Sequence, residues 1–175
     1  MRLIFELKNN NFKIFPEINI YQKSVEELYD KVFGRDRYSR TVYSLRSGKK
    51  ITELCFIIKN DRDEILACIR FWLIKIGLQS GILLGPLAVK NDFRGHGLGS
   101  MLINHSLNKA RLKNFNFCFV SGEEDYYPKF GFQKIASSKL ILPGYIDPKR
   151  LHIIFFKKEI IDLMGAYPWK VIPQN

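Results

Sequence analysis

The stretch Arg94-Gly95-His96-Gly97-Leu98-Gly99-Ser100 sets three glycines and an arginine between an apolar run and a helical one. Glycines there let the backbone come close to a ligand, and the first amides of the following helix have no partner within it. Those donors and the positive end of the helix dipole make an anion site, best matched to a phosphate or pyrophosphate. Arg94 adds a full charge at the mouth. An ordinary glycine-rich turn is the plain alternative. The dinucleotide fingerprint Gly-x-Gly-x-x-Gly is met imperfectly, because Ser100 stands at the third glycine, and two antiparallel strands are expected before this one. No Gly-Lys-Ser/Thr supplies a triphosphate loop. Cys55, Cys68 and Cys118 sit in apolar segments without metal-ligand spacing. They read as buried, reduced thiols of a cytoplasmic chain, and no metal is expected.

These residues need elements to hold them. Ile82–Val89 (ILLGPLAV) is apolar on both faces, as a strand inside a sheet is, and Gly85-Pro86 predicts a bulge or break. A helix is expected over Leu98–Lys113, with Met101, Leu102 and His105 on one stripe and Ile103, Leu107 and Ala110 widening it. Phe115–Val120 reads as a buried strand. After it come a polar turn (Ser121–Asp125), a short helical piece around Tyr127–Phe130, and strands near Phe132–Ala136, Leu140–Leu142 and Leu151–Phe156. Upstream, Leu54–Lys59 and Ile65–Lys75 form a hairpin across Asn60–Asp63. Ser24, with Glu27 three residues on, predicts a capped helix that Gly34 stops. Arg35–Arg46 is expected as a second, basic helix with its arginines on a solvated face. Leu3, Phe5 and Leu7, then Ile14, Phe15, Ile18 and Ile20, alternate weakly and predict one or two short strands. The tail from Lys157 is mixed, with Tyr167-Pro168-Trp169 folded onto the body.

The chain has 175 residues, 46% hydrophobic and 26% charged, which suits one buried core and is short for two domains. No repeat or linker divides it, so a single α/β domain over 1–175 is expected, with its core about 18–156. No apolar run approaches the ~18–20 residues that span a bilayer, so no membrane partner is expected. The opening MRLIFELKNNNFKIF is a poor secretion signal, and a cytoplasmic place is expected. Lys and Arg number 28 against 17 Asp and Glu, a net charge of +11. Nucleic acid, an anionic membrane or a polyanionic small molecule would each suit that balance. The lysines are scattered rather than gathered in a stripe, which argues against nucleic acid.

Arg94-x-x-Gly97-x-Gly99, between strand and helix, resembles the acyl-CoA pyrophosphate loop of the GNAT superfamily of N-acetyltransferases, whose pattern is Arg/Gln-x-x-Gly-x-Gly/Ala. After the strand FNFCFVSG, the run Tyr126-Tyr127-Pro128-Lys129-Phe130-Gly131-Phe132 is similar to the family's Tyr-x-x-x-Gly-Phe, in the expected order. LGPLAV before the loop and VFGRDRYSRTVYSLRSG near the start resemble the bacterial YhbS-like branch. The resemblance runs from about Ser24 to Leu151 and is strongest over Leu83–Phe132. It implies a GNAT-like α/β fold: a mixed central sheet, flanked by helices, whose two parallel strands splay apart. It implies acetyl-CoA as co-substrate, its pantetheine arm in that gap, and an amine acceptor attacking directly while both are bound. Backbone groups of Leu87, Ala88 and Val89 would bond the arm, one N–H facing the thioester carbonyl. Arg94, Gly95, His96, Gly97, Leu98, Gly99 and Ser100 would form the pyrophosphate loop, with the His96 ring turned to solvent. Tyr127 would protonate the departing thiolate, or, on the plainer reading, only shape the pocket.

No acid lies on Ile82–Val89 to serve as base. Glu123, Glu124 and Asp125 are candidates, as is a water, though three acids in a turn also suit a solvated loop. His105 reads as a packed helix residue, His152 has no evident partner, and Cys118 reads as core rather than as an acyl carrier. The acceptor pocket is expected from the first two helices, their connection and Leu140–Tyr145. A non-catalytic acyl-CoA-binding or regulatory module is the alternative, motivated by the missing acid. A nucleic-acid-associated protein is a third reading, resting on the net charge and Arg35–Arg46.

Overall fold

The computed structural model describes residues 12–175. Its elements are β1 (Ile14–Pro16), α1 (Gln22–Phe33), the single turn α2 (Thr41–Ser44), β2 (Phe56–Lys59), β3 (Ile65–Ile76), β4 (Gln79–Val89), α3 (Leu98–Leu112), β5 (Phe117–Ser121), β6 (Gln133–Lys134), β7 (Leu140–Ile141), β8 (Leu151–Phe155) and β9 (Trp169–Pro173). The sheet runs β1-β2-β3-β4-β5-β8-β6, with β9 joined to β3 and to β7. Pairing is antiparallel except between β4 and β5 and between β7 and β9.

The layers follow from side-chain alternation. Phe56, Ile58, Ala67 and Ile69 face α3, whose Leu98, Leu102, Ile103, Leu107 and Ala110 complete one core. The intervening Ile57 and Cys68, with Ala88, face α1 through Val25, Leu28 and Tyr29. Period two in the strands and helical spacing in α1 and α3 therefore place a helix on each face.

Four expectations change. Ser24 does not cap α1. The helix begins two residues earlier, at Gln22, and its N-cap Tyr21 makes no side-chain cap bond. A 3-10 turn, Asn19–Tyr21, runs straight into it, so backbone carbonyls take the first amides. The basic segment is not one helix: it breaks into a 3-10 turn at Arg35–Ser39, α2, and another at Leu45–Ser47, with Arg40 extended between the first two. Its arginines are not all solvated. Arg37 is 1% exposed, ion-paired to Glu26 and Asp30 of α1. Turning that side chain inward is incompatible with a straight helix on the surface. The strand expected over Phe132–Ala136 shrinks to β6. The tail contributes more than an aromatic anchor, since β9 pairs with β3 while Trp169 is buried. Of the early strands, β1 is present; Leu3, Phe5 and Leu7 lie outside the described residues.

Candidate active site

β4 and β5 pair at only three positions: Ile82 with Cys118, Leu83 with Phe119, and Leu84 with Val120. Beyond them the strands part. The cause is local to β4, whose register against β3 shifts between Ile69 and Phe71, so that Gly85-Pro86 bulges opposite Arg70. Two side chains fix the bulge: Trp72 Nε1 donates to the Gly85 carbonyl at 2.8 Å and the Tyr29 hydroxyl to the Pro86 carbonyl at 2.9 Å. A cavity of about 1000 Å³ occupies the gap. Leu87 and Val89 line it, whereas Ala88 packs on the α1 side of the sheet.

At one end of the cavity lies the start of α3. Gly97, its N-cap, has φ +80°, a left-handed conformation, and no side chain caps the helix. A Cβ at Gly97 would meet no atom within 4 Å, so glycine is needed there for backbone conformation and not for room. The first helical bond runs from Met101 N to Gly97 O, at 2.9 Å. The amides of Leu98, Gly99 and Ser100 thus have no partner inside the helix, which suits an anion. Arg94, Gly95, Gly97, Leu98, Gly99 and Ser100 all line the cavity. His96 does not; it is exposed, its Nδ1 3.1 Å from the Arg94 carbonyl.

Tyr127 also lines the cavity yet is only 6% exposed. Its ring stands edge-on to Tyr126 and Phe132 and passes so close to Gly122 that a Cβ there would sit 1.9 Å from its Cε2. Burial pushes the phenol well above its ordinary range, helped by Tyr126 and Cys118 and opposed by Arg150 and Arg46. It therefore stays protonated through the neutral range. Tyr126 is a separate feature: its hydroxyl stands over Gly99, where a Cβ would come within 2.7 Å of it.

The wall facing the tyrosines comes from the segment after α1, with Arg40, Tyr43 and Arg46, and from Tyr145–Asp147. Glu123 and Asp147 are the carboxylates lining the cavity. Glu123 is paired with Arg150 at 3.2 Å, and Asp147 accepts from the Lys149 amide at 3.0 Å. Glu124 is bonded to Lys134, and neither it nor the exposed Asp125 reaches the cavity wall. His105 is exposed rather than packed inside, with its ring edge-on to Phe56. His152 is fully buried, its Nδ1 on the Arg150 carbonyl and its ring centroid 6.1 Å from that of Tyr127. Cys118 is wholly buried, and burial drives its thiol far up, away from nucleophilic character.

Residues 52–134 match the family described as Acetyltransferase (GNAT) domain. Over 128 residues the chain is 39% identical to YjhQ, an uncharacterized N-acetyltransferase of Escherichia coli strain K12, covering 71% of this chain and 68% of that one. The chain belongs to the GNAT family of N-acetyltransferases. The fold agrees. A GNAT N-acetyltransferase, YhbS of Escherichia coli in complex with CoA, superposes with a TM-score of 0.71 at 20% identity, over 93% of this chain and 89% of that one. A GNAT acetyltransferase of Brucella melitensis in complex with acetyl-CoA gives 0.62 at 22% identity, over 94% and 93%.

The sequence points to the loop, to Tyr127 and to the Arg35–Arg46 segment as a pocket wall, but does not single out Arg46, Tyr43 or Asp147. Arg46 is expected on a solvated face, but its Nε and Nη1 are shut off from solvent and have no hydrogen-bond partner among the described residues. Burial pulls its pKa below the ordinary value, while Tyr43, 4.1 Å from the guanidinium, works the other way. No local pattern marks Arg46 apart from Arg35 or Arg40, so nothing in the sequence could have singled it out.

Proposed function

We propose that this protein transfers the acetyl group of acetyl-CoA to an amine, with both substrates held together in the cleft between β4 and β5. The observation that carries this reading is the conjunction at one cavity of a parted strand pair, an uncapped α3 start and a buried, protonated Tyr127. The amides of Leu98, Gly99 and Ser100, with Arg94 beside them, hold the diphosphate. Backbone groups of Leu87–Val89, freed on the side where β5 has left, receive the pantetheine arm as an added strand, and one of them faces the thioester oxygen. Juxtaposing amine and acyl carbon supplies much of the acceleration. The nitrogen–carbon bond forms, the carbon–sulfur bond breaks with its electron pair going to sulfur, and Tyr127 gives the thiolate its proton. The nitrogen's own proton leaves through water toward Glu123 or Asp147. Three buried, unpaired thiols support a cytoplasmic setting.

Isothermal titration with acetyl-CoA tests this first. Binding is expected, followed by release of free CoA thiol when amines are supplied. No binding at high micromolar acetyl-CoA would end the proposal, and binding without transfer to any amine would favour a non-catalytic acyl-CoA module.

A further inference from the structure

Arg46 stands apart from the other cations of the cavity. Arg150 is paired with Glu123, Arg40 donates to the Phe33 carbonyl at 3.0 Å, and Lys129 lies 4.0 Å over the Tyr126 ring. Arg94 is exposed at the mouth. The Arg46 guanidinium is instead stacked on Tyr43, with two of its nitrogens buried and bonded to nothing among the described residues. Its Nη2 lies against Gly85, 2.8 Å from where a Cβ would be. That is the point at which β5 has just left β4, beyond the Leu84–Val120 pair. Removing an arginine from water without a counter-charge is costly, and the guanidinium fork matches a carboxylate in two parallel bonds. No acid of β4 meets it, and the cavity's Glu123 and Asp147 have other partners.

We infer that Arg46 is an acceptor-binding residue: the physiological acceptor is a small amine that carries a carboxylate, and Arg46 grips that group beside the bulge while the amine points along the cleft. This deepens the proposed acetyl transfer and rests on it. Tyr43 holds the guanidinium plane, and Gly85 leaves the room that a side chain would take from it.

The test is a panel of amino acids, paired one by one with their carboxamides, assayed with the intact protein by release of CoA thiol. Acetyl-CoA affinity is measured separately by titration. Acetylation is expected for carboxylate members, with the matched amides about 100-fold lower in kcat/KM. Arg46→Ala should abolish that discrimination, Arg46→Lys should restore part of it, and acetyl-CoA affinity should hold in both. Two results would overturn the inference while leaving acetyl transfer intact: acetylation confined to amines without an anionic group, or discrimination that survives Arg46→Ala. Equal loss of acetyl-CoA affinity in Arg46→Ala would also overturn it, by placing Arg46 against the cofactor. Failure of acetyl-CoA to bind the wild-type protein would instead remove the parent reading.

Discussion

Tyr127 is held by packing on three sides, and the acid role proposed for it can be tested by one substitution. Its ring is locked between Gly122, Tyr126 and Phe132, and the residue lines the cavity. Tyr127→Phe keeps the ring and deletes the proton, so turnover should fall about 100-fold or more while acetyl-CoA affinity holds. Steady-state kinetics beside calorimetry would check this; unchanged turnover would take Tyr127 out of the acid role. The pH sign follows from its raised pKa. A phenol whose pKa lies above the ordinary 10.0 stays protonated on the alkaline side of neutrality, so this group imposes no fall in kcat before about pH 10. Tyr127 is named from the sequence only through the resemblance of Tyr127-x-x-x-Gly131-Phe132, a local run, to the family's tyrosine motif. Arg46 is not named from it, because what distinguishes it is the company of Tyr43 and Gly85, the latter 39 positions further on.

At the scale of elements, β4 decides the site. Its apolar run identifies it as an interior strand, and Gly85-Pro86 announces an irregularity. That the irregularity frees one edge depends on Trp72 of β3 and Tyr29 of α1, which hold the two bulge carbonyls. β5 answers from the other side, leading into Gly122 and the tyrosine turn. Gly122→Ala would drive a methyl into the Tyr127 ring, which is buried and cannot give way freely. The expected outcome is a kcat loss approaching that of Tyr127→Phe, with a stability loss of about 1–3 kcal/mol. Kinetics and thermal denaturation on the same preparation would check it; full activity would mean that the ring can shift without harm. The basic segment after α1 shows the limit of periodicity. Tyr38, Val42 and Leu45 have helical spacing, yet burying Arg37 against α1 breaks the chain into short turns.

Across the whole molecule, an ion network ties α1 and the turn after it to the sheet. Glu17, fully buried, receives Arg70 Nε at 2.9 Å and Arg70 Nη2 at 2.8 Å. Arg70 also reaches Glu26 of α1, which meets Arg37 in turn. Burial works to raise the Glu26 pKa, but hydrogen bonding and attraction from Arg70, then Arg37, prevail and hold it below the usual 4.5. A carboxylate with a lowered folded pKa adds stability above its unfolded pKa and loses it as pH falls through the folded one. Denaturation midpoints should therefore drop on acidification below about pH 4.5. Glu26→Gln should be less stable at neutral pH and show a shallower acid limb. A wild-type and variant difference that stays constant from pH 7 to 3 would remove Glu26 from this account. The +11 net charge also finds a place at this scale: Arg40, Arg94, Lys129 and Arg150, besides Arg46, line the cavity against Glu123 and Asp147, with Arg94 at the α3 start. A polyanionic substrate is drawn to such a surface.

The sequence by itself determined the interior strands, α1 and α3, the glycine loop before α3 and the tyrosine turn. Each of these is written in neighbours along the chain: alternation, helical spacing, or glycines beside a helix start. Tertiary structure alone decided that β4 and β5 part after three pairs, that the tail returns as β9, and that Arg46 and Asp147 face the same cavity as Tyr127. Those features join residues far apart in sequence, where burial and the pairing of charges, rather than local spacing, fix the outcome.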